Sequence, residues 1–161
     1  MFEEADIIVT NPPFSLFRYF FETINKFNKS FLIIGNINSV TYKVCYDLIG
    51  KDKVWLGENI GRGISGFILP DYYELFGTEF KIDENNQKII SPNNCLWLTN
   101  LENPRRQKNL PLTKSYQNNE LDYPYFDNLK AINIDKTVNI PKDFDGIMGV
   151  PLTFLHKHNP N

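Results

Sequence analysis

The sequence predicts an α/β fold with a mostly parallel sheet, and two features of its first half support that prediction. Apolar runs rich in β-branched residues alternate with segments whose apolar residues recur at helical spacing. The apolar runs show no polar alternation, which is typical of parallel strands buried on both faces. Strands and helices that alternate in this way indicate right-handed strand–helix–strand crossovers.

The first three strands and two helices can be placed from these patterns. Residues 6–10 and 31–35 are the first two apolar runs, and a helix between them has apolar side chains at positions 16, 17, 20, 21, 24 and 27. A shorter helix over residues 44–49 ends at Gly50, and residues 54–56 form the third strand. Residues 6–10 have the pattern of a central strand, yet only five residues precede them. We therefore expect this strand to lack a neighbour.

The pattern changes at residue 66, where shorter strands are predicted. A strand at residues 66–69 precedes two short runs, 80–82 and 88–90, which flank the turn-forming sequence Asp83-Glu84-Asn85-Asn86 and predict a hairpin. Residues 94–99 are predicted to form another interior strand.

Two regions of the chain differ in composition. Residues 1–101 are predicted to form the main domain. Residues 102–161 carry six of the ten prolines and little periodicity. We expect this second region to be an irregular C-terminal extension that wraps over the domain and packs on it.

Composition and charge exclude several classes of protein. A hydrophobic content of 42% is enough for a core, which excludes a disordered chain. The longest apolar run is far shorter than the ~20 residues of a membrane span, and the acidic start, residues 1–4, is unlike a secretory signal. We expect a cytoplasmic protein. A net charge of -2 argues against a general nucleic-acid coat.

The cysteines and histidines do not form a recognisable metal or redox site. Cys45 and Cys95 lie far apart without partners at ligand spacing, which argues against a disulfide scaffold, a zinc module and a CxxC site. His156 and His158 have no carboxylate or cysteine nearby. We expect no metal.

The sequence Asn11-Pro12-Pro13-Phe14 directly follows the first strand and directly precedes the aromatic helix. Open α/β sheets bind ligands at the carboxyl ends of their strands, so this position is typical of a functional loop. The alternative is a stiff connecting loop, because Asn and Pro are ordinary turn residues and Phe often anchors a helix. We favour the functional interpretation.

These residue types suit methylation of an exocyclic amine. Such an amine is a poor nucleophile because its lone pair is delocalised into the ring, and two acceptors aimed at its N–H bonds favour a pyramidal, more nucleophilic nitrogen. Asn11 offers its side-chain carbonyl and Pro12 its backbone carbonyl. Pro12 and Pro13 also fix the backbone. The ring of Phe14 gives a face for stacking a flipped base.

These residues resemble a known family, the EcoRI-type adenine-specific DNA methyltransferases, within the amino-group methyltransferases of class I Rossmann-like fold. Residues 6–18 are similar to the catalytic segment of that family. Further similar stretches follow in the expected order over nearly the whole chain, namely 31–36, 55–57, 98–101, 131–133 and 145–151. The resemblance implies N6-adenine methylation of double-stranded DNA with S-adenosylmethionine as donor. It also implies that Asn11, Pro12 and Phe14 hold the target base.

The chain departs from this family in one respect. The resemblance implies that the donor is bound by a glycine-rich turn and a carboxylate upstream of the catalytic loop, whereas only ten residues precede the loop here. We therefore expect a partial class I methyltransferase that is inactive alone, with a separate polypeptide as one source of the cofactor-binding half. A truncated gene, a split enzyme and an incomplete recombinant piece are all consistent with this departure.

Two further motifs occur in the sequence. Basic residues are locally concentrated in one place, at Arg105, Arg106 and Lys108, followed by Lys114. These side chains either contact DNA phosphates or form an ordinary solvated surface. The loop at residues 11–14 favours the first three as DNA-binding residues. Residues 61–66 spell G-x-G-x-x-G, but a strand-like run follows instead of a phosphate-binding helix. We interpret this motif as a flexible loop beside the active-site rim.

The sequence thus predicts part of a site-specific DNA N6-adenine methyltransferase. Two alternatives stay open. Protein-glutamine and ribosomal-RNA guanine methyltransferases use related loops for the same polarisation of an amine. A non-catalytic remnant, or a half-enzyme that acts as a complementation partner, is the second alternative.

Overall fold

The structure is a computed structural model that describes residues 2–60, 66–76, 80–92 and 94–160. The chain divides into two compact units, Met1–Asn103 and Pro104–Asn161. The division falls two residues beyond the predicted boundary at 101/102.

The described residues of the first unit form two α-helices and seven strands. In chain order these are β1 (Ile7–Thr10), α1 (Phe17–Lys26), β2 (Ser30–Asn36), α2 (Lys43–Gly50), β3 (Trp55–Ile60), β4 (Phe67–Leu69), β5 (Phe80–Ile82), β6 (Lys88–Ile90) and β7 (Cys95–Thr99). Short 3₁₀ helices at Phe14–Leu16 and Ile37–Thr41 follow β1 and β2. The elements predicted in this unit are therefore present.

The main sheet has the strand order β1-β2-β7-β3. β1 and β2 are parallel, whereas β7 is antiparallel to both β2 and β3. The three strands β1, β2 and β3 thus point in one direction, and β7 runs between two of them in the other. In the second sheet, β4 and β5 flank β6 with antiparallel pairing.

The prediction of a mostly parallel sheet is not confirmed, because most of the strand pairs are antiparallel. The physical reason lies in β7. Its apolar run shows that it is buried but carries no information on its direction. The chain reaches β7 from the hairpin, without the crossover helix that parallel pairing requires. The mixed α/β character itself is observed.

Helix α1 forms because its apolar residues share one face. Phe17, Phe21 and Ile24 recur at helical spacing and are fully buried. The helix ends where the backbone N–H of Phe27 donates to the carbonyls of the last turn. Asn28 then adopts a positive φ of 49°, a conformation that favours Asn or Gly after a helix.

The predicted hairpin is confirmed. β5 and β6 pair antiparallel around the turn, and the Asp83 carboxylate accepts backbone hydrogen bonds from Asn85 (3.0 Å) and Gln87 (2.7 Å). Asn86 has a positive φ of 60°. Asp and Asn suit these positions because short polar side chains bond the turn backbone and tolerate this conformation.

The two faces of the main sheet are covered to different extents. Ile8 and its partner Phe31 are buried on the face where Phe21 of α1 contacts Phe31, with ring centroids 5.7 Å apart. On the opposite face, Ile7 and Val9 are 51% and 66% exposed. Within the described part of the chain, β1 pairs with β2 alone. The expectation that this strand is buried on both faces is therefore wrong.

The second unit contains more regular structure than the sequence predicts. Its strands β8 (Tyr125–Phe126), β9 (Leu129–Asn133) and β10 (Met148–Gly149) form a sheet of order β10-β9-β8. A core of its own is buried there, made by Tyr123, Ile132, Ile134 and Ile140. The strands were missed because two of them have only two residues, too few to establish a period.

The Asp143 carboxylate holds a loop of the second unit. It accepts hydrogen bonds from the hydroxyl of Ser115 and from the backbone N–H groups of Tyr116 (2.6 Å) and Gln117 (3.3 Å). These bonds, that of Ser115 first, hold the pKa of Asp143 below its ordinary value. The side chain is therefore ionised and structural.

No helix in the described ranges is long and apolar enough to cross a membrane.

Candidate functional site

The loop Asn11-Pro12-Pro13-Phe14 joins the carboxyl end of β1 to the 3₁₀ helix Phe14–Leu16, which continues into α1. Pro13 has extended backbone angles (φ −55°, ψ 127°), so the chain turns into the helix only at Phe14. The predicted strand–loop–helix setting of these four residues is therefore observed.

Two oxygens of this loop accept no hydrogen bond from a described residue, although Asn11 is exposed and Pro12 is buried. The Asn11 side chain is exposed and makes no hydrogen bond to another described residue. The carbonyl of Pro13 accepts the Leu16 N–H at 2.9 Å, and that of Phe14 accepts the Phe17 N–H. No described residue donates to the carbonyl of Pro12. Asn11 and Pro12 thus each have an oxygen without a described donor, and the roles of these oxygens in amine polarisation stay a prediction.

The ring of Phe14 is accessible. It is 37% exposed and lines a cleft of about 330 Å³ next to the loop. The other lining residues are Ser15, Leu16, Arg18, Tyr19, Glu22 and Tyr42. An aromatic face beside an open cleft is suited to stacking a base.

Arg18 and Tyr42 form a contact in this cleft that sequence reasoning missed. The guanidinium carbon of Arg18 lies 4.9 Å from the centroid of the Tyr42 ring, a cation–π geometry. Tyr42 directly follows the 3₁₀ helix Ile37–Thr41, which comes after β2. Because β1 and β2 are parallel neighbours, the segments that follow them meet at one edge of the sheet. This rule was the available signal for Tyr42.

The predicted DNA-binding residues lie in the second unit. Lys108 is exposed and lines a pocket of about 410 Å³ together with Leu110, Pro111, Val138 and His156. Arg106 is buried, with 9% of its surface exposed. The side chain of Arg105 lies outside the described part of the chain. A phosphate contact by Lys108 stays a prediction, and the burial of Arg106 weighs against one by that residue.

The G-x-G-x-x-G motif lies mostly outside the described residues, which include only its last glycine. Gly66 has a φ of +93°, and β4 begins at the next residue. The expected strand after this motif is therefore present where a phosphate-binding helix would begin.

The strand–helix turn at residues 11–14 lacks the groups expected to bind a methyl donor. The first strand–helix turn of the unit is the Asn11–Phe14 loop, which contains neither a glycine nor a carboxylate. These are the groups expected for binding a nucleoside donor at such a turn. No group of three or more His, Cys, Asp or Glu side chains suited to a metal ion occurs in the described ranges.

Comparisons with known proteins identify one family. Residues 1–161 match the family described as "Adenine-specific methyltransferase EcoRI". The Type II methyltransferase M.EcoRI of Escherichia coli is 58% identical over 160 residues, which are 99% of this chain and 49% of that protein.

Two relatives from Mycoplasma are more distant. M.MgeORF184P of Mycoplasma genitalium is 38% identical over 98% of this chain and 50% of its own length. M.MpnI of Mycoplasma pneumoniae is 33% identical over 99% of this chain and 50% of its own length. Both are named as Type II methyltransferases. No solved structure matches the chain.

The chain spans about half the length of each of these relatives. Since the family matches every residue from 1 to 161, the chain belongs to the EcoRI adenine-specific methyltransferase family.

Proposed function

We propose that this chain is the base-holding part of a DNA N6-adenine methyltransferase. The observation that supports the proposal most directly is the loop at residues 11–14. Its two acceptors, the Asn11 carboxamide and the Pro12 carbonyl, have no partner among the described residues, and they lie beside the accessible ring of Phe14.

In the proposed mechanism the target adenine leaves the DNA stack and lies against Phe14. One N6–H bond donates to the side-chain oxygen of Asn11 and the other to the backbone oxygen of Pro12. Both oxygens withdraw the N–H hydrogens from the plane of the ring, so the nitrogen lone pair becomes available for attack on an electrophilic methyl group.

Direct attack by the amine needs no protein nucleophile, and the cysteines fit that mechanism. Cys45 is fully buried, and burial raises the pKa of its thiol to about 12, with a smaller opposing effect of Arg18. Cys95 is 8% exposed and lies on β7. Neither residue lies in the loop that holds the base.

The family implies S-adenosylmethionine as the methyl donor. We propose that its binding site comes from the half of the relatives' length that this chain does not span, supplied on one polypeptide or on a separate one. We place that half at the edge of β1 that pairs with no described strand, and over the sheet face on which Ile7 and Val9 are half or more exposed. The sheet would then be one part of a class I Rossmann-like sheet.

The proposal can be tested by complementation. The chain is expressed together with the part of the Escherichia coli relative that it does not match, and nucleosides from the host DNA are separated by mass spectrometry. We expect N6-methyladenine only when both polypeptides are present, and none with Asn11→Ala.

Three results would contradict the proposal. Methylated glutamine in translation factors, or methylated guanine in ribosomal RNA, would assign another amine as substrate. Formation of a stable complex without any methylation would favour a non-catalytic partner.

A further inference from the structure

We propose that the cleft beside the loop binds a phosphodiester group of the DNA strand that carries the target adenine. Arg18 would be the phosphate ligand and Tyr42 the positioning residue that holds Arg18. This inference rests on the proposed function, because it takes DNA as the substrate.

Arg18 lies close to the loop that holds the base. Phe14 lines the cleft and also belongs to the base-holding loop, and Arg18 begins the next turn of the same helical segment. A nucleotide whose base stacks on Phe14 therefore has its backbone within reach of the cleft. The cleft, at about 330 Å³, is open to solvent and has room for a phosphate with its hydration.

Arg18 also supplies a positive charge to the cleft. Arg18 is exposed and forms no ion pair with a carboxylate of the described residues, although Glu22 lines the same cleft. By contrast, Lys43 is bound to Asp47 at 3.0 Å. The five N–H donors of Arg18 thus remain available, in a planar arrangement that matches phosphate oxygens.

Tyr42 also preorganises the side chain of Arg18. The Tyr42 ring lies 4.9 Å from the guanidinium carbon and restricts where this long side chain extends. Tyr42 is itself held, since its ring lies 6.3 Å from that of buried Phe17. A cation that is already oriented loses less conformational entropy on binding an anion.

Phosphate contacts have a specific signature, because each one releases counterions and adds about 0.9 to the slope of log affinity against log salt. The experiment measures binding of a fluorescent 20-base-pair DNA duplex by the 161-residue chain at several salt concentrations. Arg18→Ala should lower the slope by about 0.9 and weaken binding about tenfold at low salt. Arg18→Lys should keep the slope. Lys26→Ala, on the last turn of the same helix, is the matched control and should leave both values unchanged.

The role of Tyr42 is tested by a double-mutant cycle. Tyr42→Ala should weaken binding about two- to fivefold, the range expected for an exposed cation–π contact, without changing the slope. Tyr42→Phe should restore the affinity. In the Arg18→Ala background, Tyr42→Ala should have no further effect, which a merely structural role for the ring would not produce.

An unchanged salt slope in Arg18→Ala, an equal loss in Lys26→Ala, or no binding of the duplex by the chain would each overturn this inference. Failure of the two proposals is distinguishable. Adenine methylation in the complementation assay together with an unchanged slope would reject only the phosphate site. A slope that depends on Arg18, found together with methylated guanine in RNA, would reject only the DNA-adenine assignment.

Discussion

At the scale of single residues, the loop follows from a few local constraints. Pro12 and Pro13 have no N–H, so they cannot compete for the acceptors of the loop. The helix that starts at Phe14 uses the carbonyls of Pro13 and Phe14, and the carbonyl of Pro12 is left without a helical partner. The sequence Asn-Pro-Pro-Phe therefore leaves two neighbouring oxygens without an intrachain donor among the described residues at the end of a strand.

Replacing Phe14 separates stacking from folding. Because the ring is 37% exposed, we expect Phe14→Ala to leave the Tm nearly unchanged. The same change should lower kcat/KM for DNA in the complemented enzyme by about 5- to 150-fold, the equivalent of ~1–3 kcal/mol of stacking. Phe14→Tyr serves as the control and should retain most of the activity. A large loss of Tm in Phe14→Ala would assign the ring to the core instead.

The thiol of Cys45 should be inert in the folded chain. Since its pKa is about 12, a fraction on the order of 10⁻⁴ is thiolate at pH 8, and the side chain is fully buried. We expect Ellman's reagent to label Cys45 only after a denaturant is added. An exposed cysteine introduced by Lys51→Cys provides the positive control. Rapid labelling of Cys45 at pH 8 in the absence of denaturant would contradict the burial of this thiol.

Sequence reasoning reached some residues of the site and not others. Asn11, Pro12, Pro13 and Phe14 are contiguous, so they could be named from the sequence. Tyr42 was not named, because its place beside Arg18 depends on how the chain returns after β2, and the rule for parallel strands indicates only the edge of the sheet. The burial of Arg106 was equally invisible, since a basic residue in a proline-rich segment has no period that reports its orientation.

At the scale of elements, the α-helices and strands of the first unit were predictable because each has a clear local pattern. The buried stripe of α1 and the turn residues of the β5–β6 hairpin are local signals. The direction of β7 is not local. A strand buried between two others has apolar residues on both faces whichever way it runs.

Close packing of α1 on β2 gives a prediction at Gly35. A Cβ at this position would lie 2.8 Å from the Phe17 ring and 3.0 Å from the hydroxyl of Ser39, closer than normal contacts. We expect Gly35→Ala to reduce the free energy of unfolding by about 1–3 kcal/mol, measured by denaturant titration. Phe17→Leu removes ring atoms from the contact, so Gly35→Ala should be less destabilising in the Phe17→Leu background. Additive effects of the two substitutions would contradict the contact.

At the scale of the whole molecule, the chain divides into two compact units, and the two faces of the main sheet are unevenly covered. The core of the second unit depends on contacts between residues far apart in sequence, such as Tyr123 and Ile140. Ile7 and Val9 are exposed, but the apolar run to which they belong has the same sequence pattern as a strand that is buried on both faces. Neither feature could be inferred from periodicity.

Acid should weaken the second unit through Asp143. Its folded-state pKa lies below the ordinary 3.8, so its ionised form stabilises the fold above that pH. This contribution should begin to fall below about pH 3.8 and disappear as the pH passes the lowered pKa. Hydrogen exchange of residues 104–161 should show a steeper loss of protection with acid in the wild type than in Asp143→Asn. Trp55 and Trp97 fluorescence reports on the first unit as a control, and identical acid profiles would contradict the prediction.

Single-turnover methyl transfer measures most directly whether the Asn11 carboxamide makes an adenine amine reactive, as we propose. The wild-type chain and Asn11→Ala are each combined with the complementary half, and the rate constant for N6-methyladenine formation on a DNA duplex is compared at saturating donor and DNA. We expect a decrease of about 10²–10³-fold, as for loss of one preorganised polar group, with an unchanged Tm. Equal rate constants would contradict the account and leave the loop a purely structural connection.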